Sequence, residues 1–140
     1  MLVKEVMTRR PDFLDGTASI RQVAEHMRDR NSGFEPLVDQ DKIVGVVTDR
    51  DIALRAVAEG RGADDPARDI ATDPPLYTYE DDTLEDVLSN MQQQRVQRLL
   101  VLDSADTKRL TGILTIGDIA DHCQDDDLAR ALVGCTRHYV

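Results

Sequence analysis

Apolar residues recur at helical spacing at Ile20, Val23, Ala24 and Met27, and again at Leu84, Val87, Leu88 and Met91. Each run predicts an amphipathic helix with one buried stripe. Ser19 with Gln22, and Thr83 with Asp86, supply polar starts for these helices. Short extended pieces precede them, at Phe13-Leu14 and at Leu76-Tyr77-Thr78. Apolar runs with little alternation follow, at 36–38 and 43–47 and then at 99–102 and 110–114. Such runs predict strands buried on both faces. A second helix then carries Ile52, Ala56 and Val57 in one case and Ile119 and Ala120 in the other. A last stripe, Leu128, Ala129, Leu132 and Val133, follows three aspartates and predicts a C-terminal helix with an acidic first turn. That helix has no counterpart earlier in the chain. It either packs back on the module or meets another subunit.

The chain repeats itself. At one constant offset Val6 matches Ile70, Thr8 matches Thr72, Pro11 matches Pro75, Val23 matches Val87, Met27 matches Met91 and Asp39 matches Asp103. A three-residue insertion in the turn at 104–108 shifts the register, after which Gly45, Thr48, Asp51 and Ile52 match Gly112, Thr115, Asp118 and Ile119. The expected fold is α+β, a β-α-β-β-α plan given twice. The first repeat spans 1–60, a linker with glycine and aspartates 61–66, the second repeat 67–123, and a C-terminal helix and tail 124–140.

The most specific stretch occurs in both copies: Gly45-Val46-Val47-Thr48-Asp49-Arg50-Asp51-Ile52 and Gly112-Ile113-Leu114-Thr115-Ile116-Gly117-Asp118-Ile119. Each reads as a strand running into a helix start, where free N–H groups and a positive dipole end would suit phosphate. Arg50 adds charge there, and Asp51 or Asp118 could accept both vicinal hydroxyls of a ribose. The plainer reading is a capping box, with Thr and Asp satisfying helix-end N–H groups only. Thr83-Leu84-Glu85-Asp86 has the same spacing and serves as an internal control.

Composition narrows the classes. Hydrophobic content of 41% and charged content of 31% describe a soluble globular protein. No apolar run is long enough to span a bilayer, and Met1-Leu2-Val3-Lys4-Glu5 lacks a signal-peptide core. A cytoplasmic location is expected. The formal charge of -10 argues against a nucleic-acid-binding surface. Cys123 and Cys135, with His122 and His138, fit no zinc spacing and read as a half-buried small apolar residue and a frayed tail. No nucleophile–base pair or phosphate-binding glycine loop appears, and His26 reads as a core-edge histidine, so an enzyme is not expected.

The doubled Gly-apolar-apolar-Thr-x-x-Asp-Ile, with Pro36-Leu37-Val38-Asp39 and the segment Val96 to Asp103, resembles the tandem CBS domains named after cystathionine β-synthase. The resemblance covers most of the chain. It implies two repeats packed as a pseudo-twofold module with two clefts, in a stand-alone protein. It further implies a regulatory sensor of AMP, ADP, ATP or S-adenosylmethionine that acts on a partner protein, needs no cofactor and forms a homodimer. The alternative is a ligand-free structural or interaction module with vestigial clefts. Carried over by position, Asp51 and Asp118 are the ribose-binding aspartates, and Thr48 and Thr115 the phosphate-contacting hydroxyls. Thr72 and Val96 are implied beside Asp51, and Thr8 beside Asp118. Arg98 lies in a stretch similar to one that contacts phosphates. The second copy has Ile116-Gly117 where the first has Asp49-Arg50, Glu35 stands where a phosphate would be repelled, and Leu100 replaces a usual proline. The copy with Arg50 and Asp51 is therefore the favoured site.

Overall fold

The structure is a computed structural model that describes residues 1–9, 13–72 and 75–136. Pro11 of the repeat and His138 of the cysteine–histidine set lie outside them. In chain order the elements are α1 (Val3–Val6), β1 (Thr8–Arg9), β2 (Leu14–Asp15), α2 (Ile20–Arg30), β3 (Phe34–Asp39), β4 (Lys42–Thr48) and α3 (Asp49–Asp51). Helix α3 runs on as a π-helical stretch, Ile52–Val57, and a 3-10 turn follows at Ala67–Ile70. The remainder is β5 (Tyr77–Tyr79), α4 (Leu84–Gln94), β6 (Arg98–Leu102), β7 (Leu110–Thr115), α5 (Ile116–Asp121) and α6 (Asp126–Cys135).

The described residues fall into two compact units, one from 12–75 and one from 1–11 with 76–140. In the first, β2 runs parallel to β3 and β3 antiparallel to β4, in the order β2-β3-β4. Gln40 and Asp41 both have positive φ, 49° and 66°. That is the two-residue turn whose twist suits a tight hairpin. The second unit joins β6 to β7 by a longer turn, which accommodates the three extra residues. Its sheet has the order β1-β7-β6-β5, with β5 parallel to β6.

Helix α2 starts on a reciprocal cap between Ser19 and Gln22 and ends at Asn31 in the left-handed region, φ 51°. Its stripe, Ile20, Val23 and Met27, is buried with Leu37, Val47, Ala56, Ala67 and Ile70. Helix α4 likewise starts at Thr83 and ends at Arg95, φ 58°. Leu84, Val87, Leu88 and Met91 are buried with Leu99, Val101, Leu114 and Ile119. Leu99, Leu100, Val101 and Leu102 are all buried, as a strand without alternation should be.

The C-terminal stripe packs back. Leu128, Leu132 and Cys135 of α6 join the core of the second unit. Two buried leucines contribute roughly 3–6 kcal/mol, enough to hold a ten-residue helix in place. Cys135 is a core residue and not part of a frayed tail. Its Sγ lies 3.4 Å from the Leu88 carbonyl, and burial pushes its thiol pKa up. Val133, expected on the stripe, is 52% exposed, and Val57 on the π-helical stretch is 73% exposed.

Each unit borrows the leading segment of the other repeat. Val3 and Val6 of α1 lie in the core formed with α4 and α6. Strand β1 pairs antiparallel with β7, with Thr8 opposite Ile113 and Arg9 opposite Gly112. In the other unit Ala67 and Ile70 are fully buried, and Thr72 exchanges backbone bonds of 3.1 and 2.8 Å with Val46. Each borrowed segment covers an outer edge of β4 or β7 that would otherwise present unpaired backbone. The repeat is a unit of sequence and the compact unit one of packing, so they divide the chain at different places.

Candidate functional site

Both copies of the doubled motif are complete capping boxes. Thr48 Oγ1 accepts from the Asp51 N–H at 3.0 Å, and Asp51 Oδ2 accepts from the Thr48 N–H at 2.9 Å. Thr115 and Asp118 repeat this at 3.0 Å in both directions. The control, Thr83, accepts from the Asp86 N–H at 3.3 Å, and no reciprocal bond returns from Asp86. Ser19 and Gln22 form a full box as well, so reciprocity alone is not a functional mark. What the motif adds is geometry. The cap uses Oδ2 of each aspartate and leaves Oδ1 for another donor at the end of a strand.

The motif glycine has a steric reason. A Cβ on Gly112 would sit 2.5 Å from the Thr8 carbonyl oxygen. On Gly45 it would sit 2.9 Å from the Ala71 Cβ and 3.4 Å from the Thr72 carbonyl oxygen. Glycine lets the borrowed segment lie directly on the strand that leads to the Thr-x-x-Asp box. That brings Thr8 to Asp118, where its Oγ1 donates to Oδ1 at 3.1 Å. In the other unit Arg55 Nη1 donates to the Ile70 carbonyl at 2.9 Å and to that of Ala71 at 3.3 Å. Arg55 thereby fixes the segment that carries Thr72. Sequence reasoning passed over Arg55. The signal for it was a cation one helical turn beyond Asp51, on a stretch with otherwise small and apolar side chains.

The expected site residues divide between the units. Thr48, Arg50, Asp51 and Thr72 belong to 12–75, and Thr8, Val96, Arg98, Thr115 and Asp118 to the other. Arg50 is exposed in the first turn of α3. Val96 is half-buried against the core of its unit, with its N–H donating to the Met91 carbonyl at 3.1 Å. Arg98 is exposed at the start of β6, in register with Thr115.

Glu35 does not stand where it would repel a phosphate. Side chains alternate along β3, and Glu35 falls on the face packed by α2, with Leu37. It is fully buried, accepts a hydrogen bond from Ser32 Oγ, and has His26 Nδ1 3.0 Å from its Oε2. That last contact has ion-pair distance but lies off the line of a hydrogen bond, and Nδ1 has no hydrogen-bond partner among the described residues. We read it as an electrostatic contact.

Two surface clefts lie elsewhere. One of about 370 Å³ beside α2 is lined by Asp15, Glu25 and Asp29, and one of about 580 Å³ at the start of α6 by Glu85, Asp125 and Asp126. Neither includes a motif residue, and acidic walls disfavour phosphate. Among the described residues no group of His, Cys, Asp and Glu is arranged to hold a metal ion.

Comparison with known proteins agrees with the doubled motif. The family model for the CBS domain matches residues 3–57 and 67–125. The CBS domain-containing protein YhcV of Bacillus subtilis is 33% identical over 118 residues, covering 84% of this chain and 82% of its own. Among solved structures, the CBS domain protein PAE2072 of Pyrobaculum aerophilum, complexed with AMP, aligns at TM-score 0.79 with 29% identity. The alignment covers 95% of this chain and 98% of that one. The CBS domain pair of protein MJ0100, in complex with 5'-methylthioadenosine and S-adenosyl-L-methionine, aligns at 0.75 with 28% identity, over 87% and 94%. The two matched segments each carry one Gly-x-x-Thr-x-x-Asp box, and the chain belongs to the CBS-domain family as a tandem pair of its repeats.

Proposed function

We propose that the chain is a regulatory module that binds an adenine nucleotide and reports it to a partner protein, without catalysis. The observation that carries this is the Asp51 box, whose Oδ2 completes the cap while Oδ1 has no donor among the described residues. A carboxylate so fixed can accept a ribose hydroxyl. Thr48 and Arg50 lie beside it in sequence for the phosphate, with Thr72 of the same unit as a further contact. Thr115 and Asp118 form the second copy. PAE2072 with AMP, and MJ0100 with its two adenosine compounds, support the ligand class. The proposed setting is the cytoplasm. No described helix is long and apolar enough to cross a membrane, and the acidic charge disfavours nucleic acid.

Thermal unfolding with AMP, ADP, ATP or S-adenosylmethionine tests the reading. A ligand at ~100 times its Kd adds about 2.7 kcal/mol of stability, so one of the four should raise Tm by several degrees. If none shifts the melt at millimolar concentration, the clefts are vestigial and the module is a structural one.

The partner closest to hand is a second copy. Leu54 and Val57 expose 47% and 73% of their surface on one helical stretch, an apolar face that a homodimer would cover. Light scattering should give twice the 15.7 kDa chain mass. A monomer mass at micromolar concentration would refute the dimer.

A further inference from the structure

Four residues past the box aspartate stands Arg55 in one unit and His122 in the other. Arg55 reaches away from its own helix, with Nη1 donating to the Ile70 carbonyl at 2.9 Å and to that of Ala71 at 3.3 Å. These carbonyls end the 3-10 turn Ala67–Ile70, where the last carbonyls lack partners within the turn and a cation is favourable. His122 stays on its own helix, with Nδ1 2.9 Å from the Asp118 carbonyl. The backbones differ at the same place. Residues Ile52–Val57 are π-helical, and the Ala58 N–H donates to the Ala53 carbonyl, five residues back, at 3.0 Å. In the other unit the helix tightens instead. The His122 and Cys123 N–H groups donate three residues back, to Ile119 and Ala120, at 3.1 and 3.2 Å. π-Helical turns are rare, and many lie at functional sites.

The carbonyls that Arg55 holds belong to the two residues before Thr72. That segment lies close on β4: a Cβ on Gly45 would sit 2.9 Å from the Ala71 Cβ, and Thr72 exchanges both backbone bonds with Val46. The other unit shows where this register leads. Thr8, opposite Ile113, brings its hydroxyl to within 3.1 Å of Asp118 Oδ1. Thr72 opposite Val46 is the equivalent pair in the repeat. We propose that Arg55 is a positioning residue for the Asp51 copy. It ties the helix that begins at the Thr48–Asp51 box to the peptide that carries Thr72, so that both present one surface to one ligand. The Asp118 copy has no such tie from His122. This rests on the nucleotide-binding reading above, and adds to it a residue outside the Thr-x-x-Asp box.

Calorimetric titration of the full chain with AMP tests it, with unfolding followed beside it. Arg55→Met keeps an apolar stem and removes both hydrogen bonds. It should weaken the tightest AMP site roughly tenfold, the equivalent of about one hydrogen bond to a charged group. Arg55→Lys keeps a donor for the carbonyls and should recover most of that loss. Thr72→Val should also weaken AMP binding roughly tenfold, and adding Arg55→Met to it should then cost little more. Such non-additivity is expected only if Arg55 acts through Thr72. A residue that merely stabilises the fold would lower the melting temperature and leave the affinity of the folded chain unchanged. Should Arg55→Met unfold below the titration temperature, Arg55→Gln, whose amide is too short to hold both carbonyls, takes its place in the cycle. Unchanged AMP affinity in the folded variant, or fully additive losses with Thr72→Val, would overturn the role of Arg55 and leave nucleotide binding standing. No heat of AMP binding in wild type would overturn both.

Discussion

Replacing His26 by leucine should lower the unfolding free energy by about 1–3 kcal/mol, the cost of taking one polar partner from a buried side chain. Glu35 is fully buried, and its contacts include Ser32 and His26. Without His26 the Glu35 side chain keeps the serine hydroxyl and loses the imidazole beside Oε2. The repeat supplies the complementary experiment. Glu35 opposes Val47 as Leu99 opposes Leu114, so leucine already fills the equivalent place in the other unit. At the constant offset of the repeat, His26 corresponds to Asn90. Glu35→Leu combined with His26→Asn should therefore be neutral or stabilising. Urea unfolding would measure both. A loss under about 1 kcal/mol in His26→Leu would show that Glu35 does not depend on the histidine.

Asp51→Asn should weaken AMP binding roughly 10- to 150-fold, since hydrogen bonds to a charged group contribute about 1.5–3 kcal/mol. The amide keeps the shape and an acceptor for the Thr48 N–H. Loss of a side-chain cap costs folding stability of about 0.5–2 kcal/mol on its own, so melting must be followed beside affinity. Asp118→Asn, in the copy that has Gly117 in place of Arg50, should weaken it less, and Asp86→Asn, from the one-sided cap, not at all. Unchanged AMP affinity in Asp51→Asn would reduce its box to a helix cap.

Much of this molecule was legible as sequence because its signals are local. The stripes at Ile20, Val23 and Met27 and at Leu84, Val87 and Met91 are buried as their spacing requires, and the Thr-x-x-Asp boxes cap helices as their residue types require. Capping and the proposed ribose contact, set against each other at first, need not compete, because the cap takes only Oδ2. Cys135 was legible too, standing in helical step with Leu128 and Leu132, but thiol spacing drew the attention to metals. Glu35 was misplaced because strand alternation was not applied to it. A one-residue step along β3 decides which face a side chain takes. Val57 and Val133 mark where periodicity ends. A stripe shows which face is apolar, and whether anything lies on it depends on distant chain. The closeness of Gly112 to Thr8 is of that kind, invisible to any window of sequence.

The borrowed leading segments fix an order of assembly. Thr8 and Asp118 are 110 positions apart, so the contact that completes the second sheet closes a loop spanning most of the chain. The entropic cost grows slowly, about 0.6 kcal/mol per doubling of loop length, but closure at such separation is slow. As the chain is synthesised, residues 12–75 hold their own compact unit once residue 75 is free. The amino terminus meets its first backbone partners at Glu80, Asp82 and Leu84, while strand β1 stays unpaired until β7 exists. Strand β1 is a late stitch, and the Asp118 copy takes its final form only when Thr8 is drawn in.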